Sequence, residues 1–462
     1  DSFPVISAMV DLNVKQNNPE KAIELCTQSI EKLNNASAYI LRGKTYLALG
    51  MKDKAVADFE KATELEPQNA QAWLFKSDYY RMEGELEKAL QDIEKTLQIN
   101  PDNLTVKKRA ILLFLASNDP DKTSRGIDLM DKAITENPKD TDLLVYKTRW
   151  LMEKGTASAV NEALRTAGRI TQINPKLPEG WEMSATLHLT EGNKGKAMDT
   201  ILSGLTYLPE DKSLLLLKGR TEASKSPDLA LSTFRELSEM YPEDSDIKLE
   251  LANILVGAEE YDEGISLLKK LTEDCSDNCR RIELTLAAAY YKNNNKNKAG
   301  KVFEELYSSS DDAGDVFLTE IQLMAEDGQW NAIWDKTKAR EDILSDDVLI
   351  SAANRLAGRE AADAQEVSER ILNRVTARTP QNINAQVSLG MLMQMKGRHR
   401  KAVQIYTDIL KKNPDAAVIT NNLAWLLCEQ LGEYEKALKL TKEALEKNPE
   451  YADLIDTQGV IH

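Results

Sequence analysis

Residues 72–101 read AWLFKSDYYRMEGELEKALQDIEKTLQINP, and this order of residue types returns along the chain. An aromatic (Trp73), a small residue (Ser77) and a second aromatic (Tyr80) come first, then Gly84, the apolar Ala89 and Ile93, and a closing Pro101. The same order runs from Tyr39 through Gly43, Tyr46, Ala55, Phe59 and Ala62 to Pro67. It returns from Trp181 through Ala185, Ala197, Ile201 and Gly204 to Pro209. Near the end it runs through Gly390, Ala402, Tyr406 and Ile409 to Pro414, then Ala424, Ala437, Ala444 and Pro449. The prolines measure the period. Pro67 and Pro101 lie 34 residues apart, as do Pro175 and Pro209, and Pro380 and Pro414. Pro414 to Pro449 is 35, and the steps from Pro101 to Pro138 and on to Pro175 are 37 each. A fixed period of this size marks stacked structural repeats.

Each period reads as two helices. Apolar residues recur at i, i+3 and i+4 in AIELCTQSI (22–30) and AVADFEKA (55–62), the spacing of an amphipathic helix. Glycine follows the first helix in LGMKDKA, EGELEKA, KGRHRKA and LGEYEKA, where a left-handed residue ends it. Proline stops the second helix because it cannot continue the hydrogen-bond ladder. Alanine and glycine occupy the points where paired helices approach, and aromatics fill the gaps between them. No Val/Ile-rich alternating segment suggests a sheet, so the chain reads as all-α.

With these positions the chain resembles the tetratricopeptide repeat (TPR) family. The resemblance implies a right-handed superhelical solenoid of stacked antiparallel helix pairs. About nine repeats cover residues 1–310, with the clearest at 36–103 and 178–211. Residues 383–462 hold two repeats and a truncated first helix, ADLIDTQGVIH. The stretch 311–382 keeps helical patterning (AIWDKTKAREDIL, EVSERILNRVTAR) but loses most signature positions. It reads as two degenerate repeats or as a bend between two blocks. A bare half-repeat leaves an apolar face uncovered, so either the natural chain continues past His462 or this helix is an irregular cap.

Composition narrows the function. Lys and Arg number 59 against 75 Asp and Glu, a net charge of −16 over 462 residues. That argues against general nucleic-acid or anionic-membrane binding, which need a positive surface. No run approaches the ~20 apolar residues of a membrane helix. Three histidines are few for acid–base or metal chemistry. His188 falls at a packing position and reads as a core histidine, while His399 falls in a turn and reads as solvated. No HExxH, GxSxG or P-loop pattern appears, and carboxylates alternate with lysines as ordinary surface pairs. No enzyme activity, metal or cofactor is expected. Cys275 and Cys279, in EDCSDNC, stand where one repeat lacks its closing proline. They read as a disulfide stapling two helices, as half of a metal site, or as two free thiols. Cys26 and Cys428 lie in amphipathic helices and read as buried small hydrophobes.

TPR proteins generally hold a peptide or a partner domain in the concave groove lined by the first helix of each repeat. The family's ligand-facing positions fall here on Ile40, Lys44 and Leu47, and on Gln71, Leu74, Asp78 and Arg81. Further along they fall on Lys108, Leu112, Val145, Arg149, Glu179, Glu182 and Thr186. The last repeats supply Asn384, Val387, Met391, Gln394, Met395, Asn421 and Trp425. Where the family's carboxylate clamp needs Lys or Asn stand Ile40, Leu74 and Val387; Asn421 alone fits. A mixed apolar and polar groove is therefore expected, on a non-catalytic scaffold for protein or peptide partners. The alternative is a substrate- or partner-recognition region of a larger enzyme or exopolysaccharide secretion machine whose active part lies beyond residue 462. The closing stretch resembles the end of bacterial TPR lipoproteins of exopolysaccharide export. With a Cys275–Cys279 bridge, it tips the balance towards an extracytoplasmic, periplasmic location over the cytoplasm.

Overall fold

Proline turns the chain at the same angle from repeat to repeat. Glu66, Asn100, Asn137, Asn174, Leu208, Tyr241, Thr379 and Asn413 each end a helix and precede a proline. Their φ values lie between −126° and −138° and their ψ values between 65° and 86°. The proline ring excludes the residue before it from helical conformation, which fixes this geometry locally. After six of these eight prolines Asn or Asp, two residues on, then starts the next helix; Leu177 and Ala416 stand there after Pro175 and Pro414. The Oδ1 atoms of Asn69, Asn103, Asp140, Asp211, Asp244 and Asn382 accept the N–H of the third residue onward, at 2.9–3.3 Å. Such caps stabilise a helix by about 1 kcal/mol each. Pro-x-Asx thus stops one helix and begins the next.

The turn inside a pair is equally local. Gly50, Gly84, Gly397 and Gly432 have φ between 65° and 76°, the left-handed region that glycine enters without steric cost. Glu259 takes the same place with φ 65°.

The computed structural model describes residues 3–275, 279–309, 313–447 and 449–462. Among them are 27 α-helices and no strand. Contacts divide the chain into units 1–225 and 226–462. The first pairs α1 (Phe3–Lys15) with α2 (Pro19–Leu33), α3 (Ala36–Ala48) with α4 (Lys52–Leu65), and α5 (Ala70–Met82) with α6 (Leu86–Ile99). It continues with α7 (Leu104–Leu115) and α8 (Pro120–Glu136), α9 (Thr141–Lys154) and α10 (Ala157–Ile173), and α11 (Pro178–Thr190) and α12 (Lys194–Tyr207). Helix α13 (Lys212–Ala223) closes it.

The second unit opens with α14 (Pro227–Met240), then α15 (Ser245–Gly257) with α16 (Tyr261–Glu273) and α17 (Cys279–Lys292) with α18 (Lys296–Ser308). Next come α19 (Gly314–Glu326) with α20 (Trp330–Arg340) and α21 (Asp346–Ala357) with α22 (Ala362–Arg378). The last are α23 (Ile383–Met395) with α24 (His399–Lys412), α25 (Ala417–Glu429) with α26 (Tyr434–Lys447), and α27 (Ala452–Ile461). The irregular stretch is helical pairs α19–α22; residues 311 and 312 lie outside the described ones. Helix α20 has 11 residues and α22 has 17, which displaces the signature positions.

Between the helices of a pair sits a core of alanines (Ala55, Ala89, Ala197, Ala402) and large side chains (Phe59, Ile93, Phe303, Tyr406), all closed to solvent. Ion pairs repeat in register as well. Arg42 grips Asp58 through two bonds of 2.8 Å, and Lys76 lies 3.5 Å from Asp92, each across one pair with the partners 16 positions apart. In α19/α20 the signs are exchanged: Glu320 faces Lys336 over the same separation, and the Tyr307 hydroxyl donates to Glu320 at 3.0 Å. Other pairs bridge one repeat to the next, such as Lys108–Asp142 (2.8 Å) and Arg280–Asp315 (2.8 Å).

Candidate partner-binding faces

Odd-numbered helices stack on one another along each unit. Helix α3 touches α5, α9 touches α11, and α19 touches both α17 and α21. Among the described residues, α20 and α22 are the only even-numbered neighbours in comparable contact. The side on which elements approach most closely is the inside of a bend, so the odd helices line the inner face away from α19–α22, where α20 and α22 approach each other at least as closely as α19 and α21 do.

In the first unit this face is charged and largely self-paired. Lys44 is exposed and its Nζ lies 5.2 Å from the centre of the Phe75 ring. Leu74 is half-buried against the core of the neighbouring pairs. Asp78 lies 3.7 Å from both Arg81 and Arg109. Arg149 is exposed, and Glu182 is half-buried; burial pushes its carboxyl up, against a hydrogen bond from Ser213.

Three residues of this set behave differently from the groove expected of the sequence. Ile40 and Val145 are 4% and 7% exposed and belong to the packed interior. Neighbouring repeats close over them, so neither faces a ligand. Lys108 reaches Asp140 at 2.7 Å and Asp142 at 2.8 Å, with its side chain only 19% exposed. Burial works against its charge, but the two carboxylates outweigh that and raise its pKa above the ordinary lysine value. It ties α7 to the start of α9.

The second unit presents apolar side chains instead. Met391 and Met395 on α23 are 52% and 57% exposed, and Trp425 on α25 is 38% exposed. Helices α23 and α25, like α5 and α7, do not make the close contact seen between most odd neighbours. Val418 (56%) on α25 and Val460 (53%) on α27 add to the exposed apolar surface of the inner helices. Neither valine was anticipated, although Val418 occupies a ligand-facing position of its repeat. The half-buried Asn421 has an Oδ1 atom with no hydrogen-bond partner among the described residues. That atom is itself closed to solvent, so it is an unsatisfied interior acceptor and not part of the open surface.

Cys275 and Cys279 are joined by a disulfide with their Cα atoms 5.5 Å apart, linking the end of α16 to the start of α17. Cys26 and Cys428 are buried free thiols, and burial raises the pKa of both. His188 is half-buried, with Nδ1 3.7 Å from Glu191. His399 is half-buried at the first turn of α24 rather than fully solvated. No group of three metal-ligating side chains occurs among the described residues, and no helix there is long and apolar enough to cross a membrane.

The sequence pattern of the tetratricopeptide repeat matches residues 40–103 and again 393–455. No curated protein matches the chain. Among solved structures, yeast Tom70 is 13% identical and is covered over 98% of both chains, with a TM-score of 0.40. The type IV pilus biogenesis factor PilW is 18% identical over 47% of this chain and 98% of its own, with a TM-score of 0.39. YrrB, described as a TPR protein with an unusual peptide-binding site, is 19% identical over 42% of this chain and 97% of its own, with a TM-score of 0.34. The chain is an all-α array of stacked helix pairs that carries tetratricopeptide repeats.

Proposed function

We propose that the chain is a non-catalytic scaffold whose odd-numbered helices dock a peptide or a partner domain. One observation carries this reading. Met391, Met395, Val418 and Trp425 stand 38–57% exposed on successive inner helices of one unit. Clustered exposed apolar side chains of this kind mark interaction surfaces more often than chance solvent exposure does. Aromatic and methionine side chains are also the residues that interface centres favour.

The charged inner face of the first unit, with Lys44, Arg81 and Arg149, supplies a second, polar contact region. The regular and divergent repeats (1–310, 311–382 and 383–462) would then each supply docking positions within their own unit. The Cys275–Cys279 bridge fits an oxidising, extracytoplasmic compartment. A place in an exopolysaccharide export machine rests on the resemblance of the closing stretch alone.

The test is affinity capture from the source cell with three baits: the wild-type chain, Met391→Ser/Trp425→Ser, and Arg149→Glu. All three substituted positions are exposed, so matching thermal unfolding midpoints establish that the baits are folded. Partners lost from the double variant support docking on the second unit, and those lost from Arg149→Glu support docking on the first. Partners retained unchanged by every bait would remove the proposed role of these faces.

A further inference from the structure

The second unit contains a cleft of about 460 Å³ between the odd-numbered helices α19 and α21. Ile321, Ala325 and Leu356 line it with apolar surface, and Gln322, Arg355 and Arg359 surround them with polar donors. Arg355 stands in the last turn of α21 and Arg359 just past its C-cap Gly358, and both line the cleft.

They share with Arg400 the lack of a carboxylate partner among the described residues of this unit, and of the three only they line the cleft. In this acidic chain most other guanidiniums of the same unit are paired with carboxylates, such as Arg340 with Glu304, Arg374 with Glu341, Arg378 with Asp346 and Arg398 with Glu369. Among the described residues neither Arg355 nor Arg359 has a carboxylate within ion-pair distance. Arg359 donates one bond, from Nη1 to the Ala325 carbonyl at 3.3 Å, which holds the guanidinium at the cleft and leaves its remaining donors free. A guanidinium has five N–H donors in a fixed fork that matches a carboxylate. Neither arginine stands at the repeat positions of the carboxylate clamp considered above.

The neighbourhood selects among anionic ligands. Helix α23 follows α21 in the stack and the two touch, so the exposed Met391 lies one repeat further along the same row of odd-numbered helices, and Trp425 two repeats along. The touching helices α21 and α23 stand ~10 Å apart, within the span of a few extended residues. A small free anion would leave the apolar neighbours uncovered. A peptide with acidic and apolar side chains in sequence would satisfy both.

We propose that the α19–α21 cleft is a carboxylate-reading notch: Arg355 and Arg359 take an acidic side chain of a docked peptide while Met391 and Trp425 take apolar side chains next to it. This rests on the docking reading above and adds the chemistry of the partner. Charge-assisted guanidinium–carboxylate bonds supply specificity as well as affinity, and the methionines adapt to the shape of the apolar residues.

Three twelve-residue peptides, labelled at the amino end and followed by fluorescence anisotropy on the full chain, test it. The first carries two glutamates followed by alternating leucine and serine. The second has glutamine in place of each glutamate, and the third serine in place of each leucine. The first is expected to bind about tenfold tighter than the second at low salt. Arg355→Ala/Arg359→Ala should bring those two within about twofold without moving the unfolding midpoint, and the third should bind weakest. Met391→Ser/Trp425→Ser should weaken the first two alike. Equal binding of the glutamate and glutamine peptides, or a preference that survives loss of both arginines, overturns the notch. If those peptides still depend on Met391 and Trp425, the docking reading stands while the notch falls. Absence of binding by the first peptide at millimolar concentration also overturns the notch, and the capture experiment then judges docking by itself.

Discussion

The ring of Tyr406 occupies the space where a side chain on Gly390 would begin: a Cβ there would lie 2.5 Å from Cε1 of the tyrosine. Gly43 and Phe59 stand in the same relationship in the first unit, at 2.6 Å. In both, an aromatic of the second helix lies flat on a glycine of the first, which sets how closely the pair packs.

Alanine at Gly390 is therefore expected to destabilise the chain by about 1–3 kcal/mol, because overpacking outweighs its better helix propensity. Gly168 gives the contrast. It lies within α10 with no atom of another residue within 4 Å of its Cβ position, so Gly168→Ala should stabilise by about 0.5–1 kcal/mol. Urea unfolding of both variants checks the difference in sign.

Tyr406 is fully buried and its hydroxyl has no hydrogen-bond partner among the described residues. Removing a buried, unsatisfied polar group is neutral to favourable, so Tyr406→Phe should leave stability unchanged or raise it by up to about 1 kcal/mol.

Burial also pushes the Tyr406 phenol up to about 12 from the ordinary value of 10. Between those values the unfolded chain loses the proton that the folded chain keeps. Stability should then fall as pH rises above 10, and more gently in Tyr406→Phe. Alkaline titration of tyrosinate absorbance alongside circular dichroism measures both. Tyr80, held up to about 12 by burial and by Glu60, contributes the same sign.

Glu320 is 5% exposed and faces Lys336, where the earlier pairs Arg42–Asp58 and Lys76–Asp92 carry the opposite order of charge. Lys336→Ala leaves a buried carboxylate without its cation and should cost about 2–4 kcal/mol. Glu320→Gln combined with Lys336→Gln should recover most of that loss, since no charge is then stranded. A denaturant double-mutant cycle reads the coupling.

The disulfide makes a simple prediction. Denatured chain without reductant should expose two thiols, Cys26 and Cys428, and reductant should release Cys275 and Cys279 as well. Four thiols before reduction would show that the bridge is absent from the purified protein.

The repeat, its helix boundaries and its tight packing points were legible in the sequence because their causes are short-ranged. A proline restricts the residue before it, a turn glycine takes the left-handed conformation, and Ala or Gly lets two helices meet. The Pro-x-Asx cap was equally local but escaped notice, since its signal spans three residues between two patterns. Exposure on the inner face was decided elsewhere. Ile40, Val145 and Trp425 all occupy ligand-facing positions of their repeats, yet the first two are buried and the third is open. Ile40 shares a packed cluster with Ala72 of the next repeat and Val145 one with Ala167 and Met183, whereas Trp425 joins no such cluster among the described residues. Lys108 likewise has its fate set by Asp142, one repeat away, and Arg355 and Arg359 by the lack of any such partner. A repeat's own sequence determines its two helices; how closely the neighbouring repeats stack, and which charges they bring, determines what its inner face has left to offer.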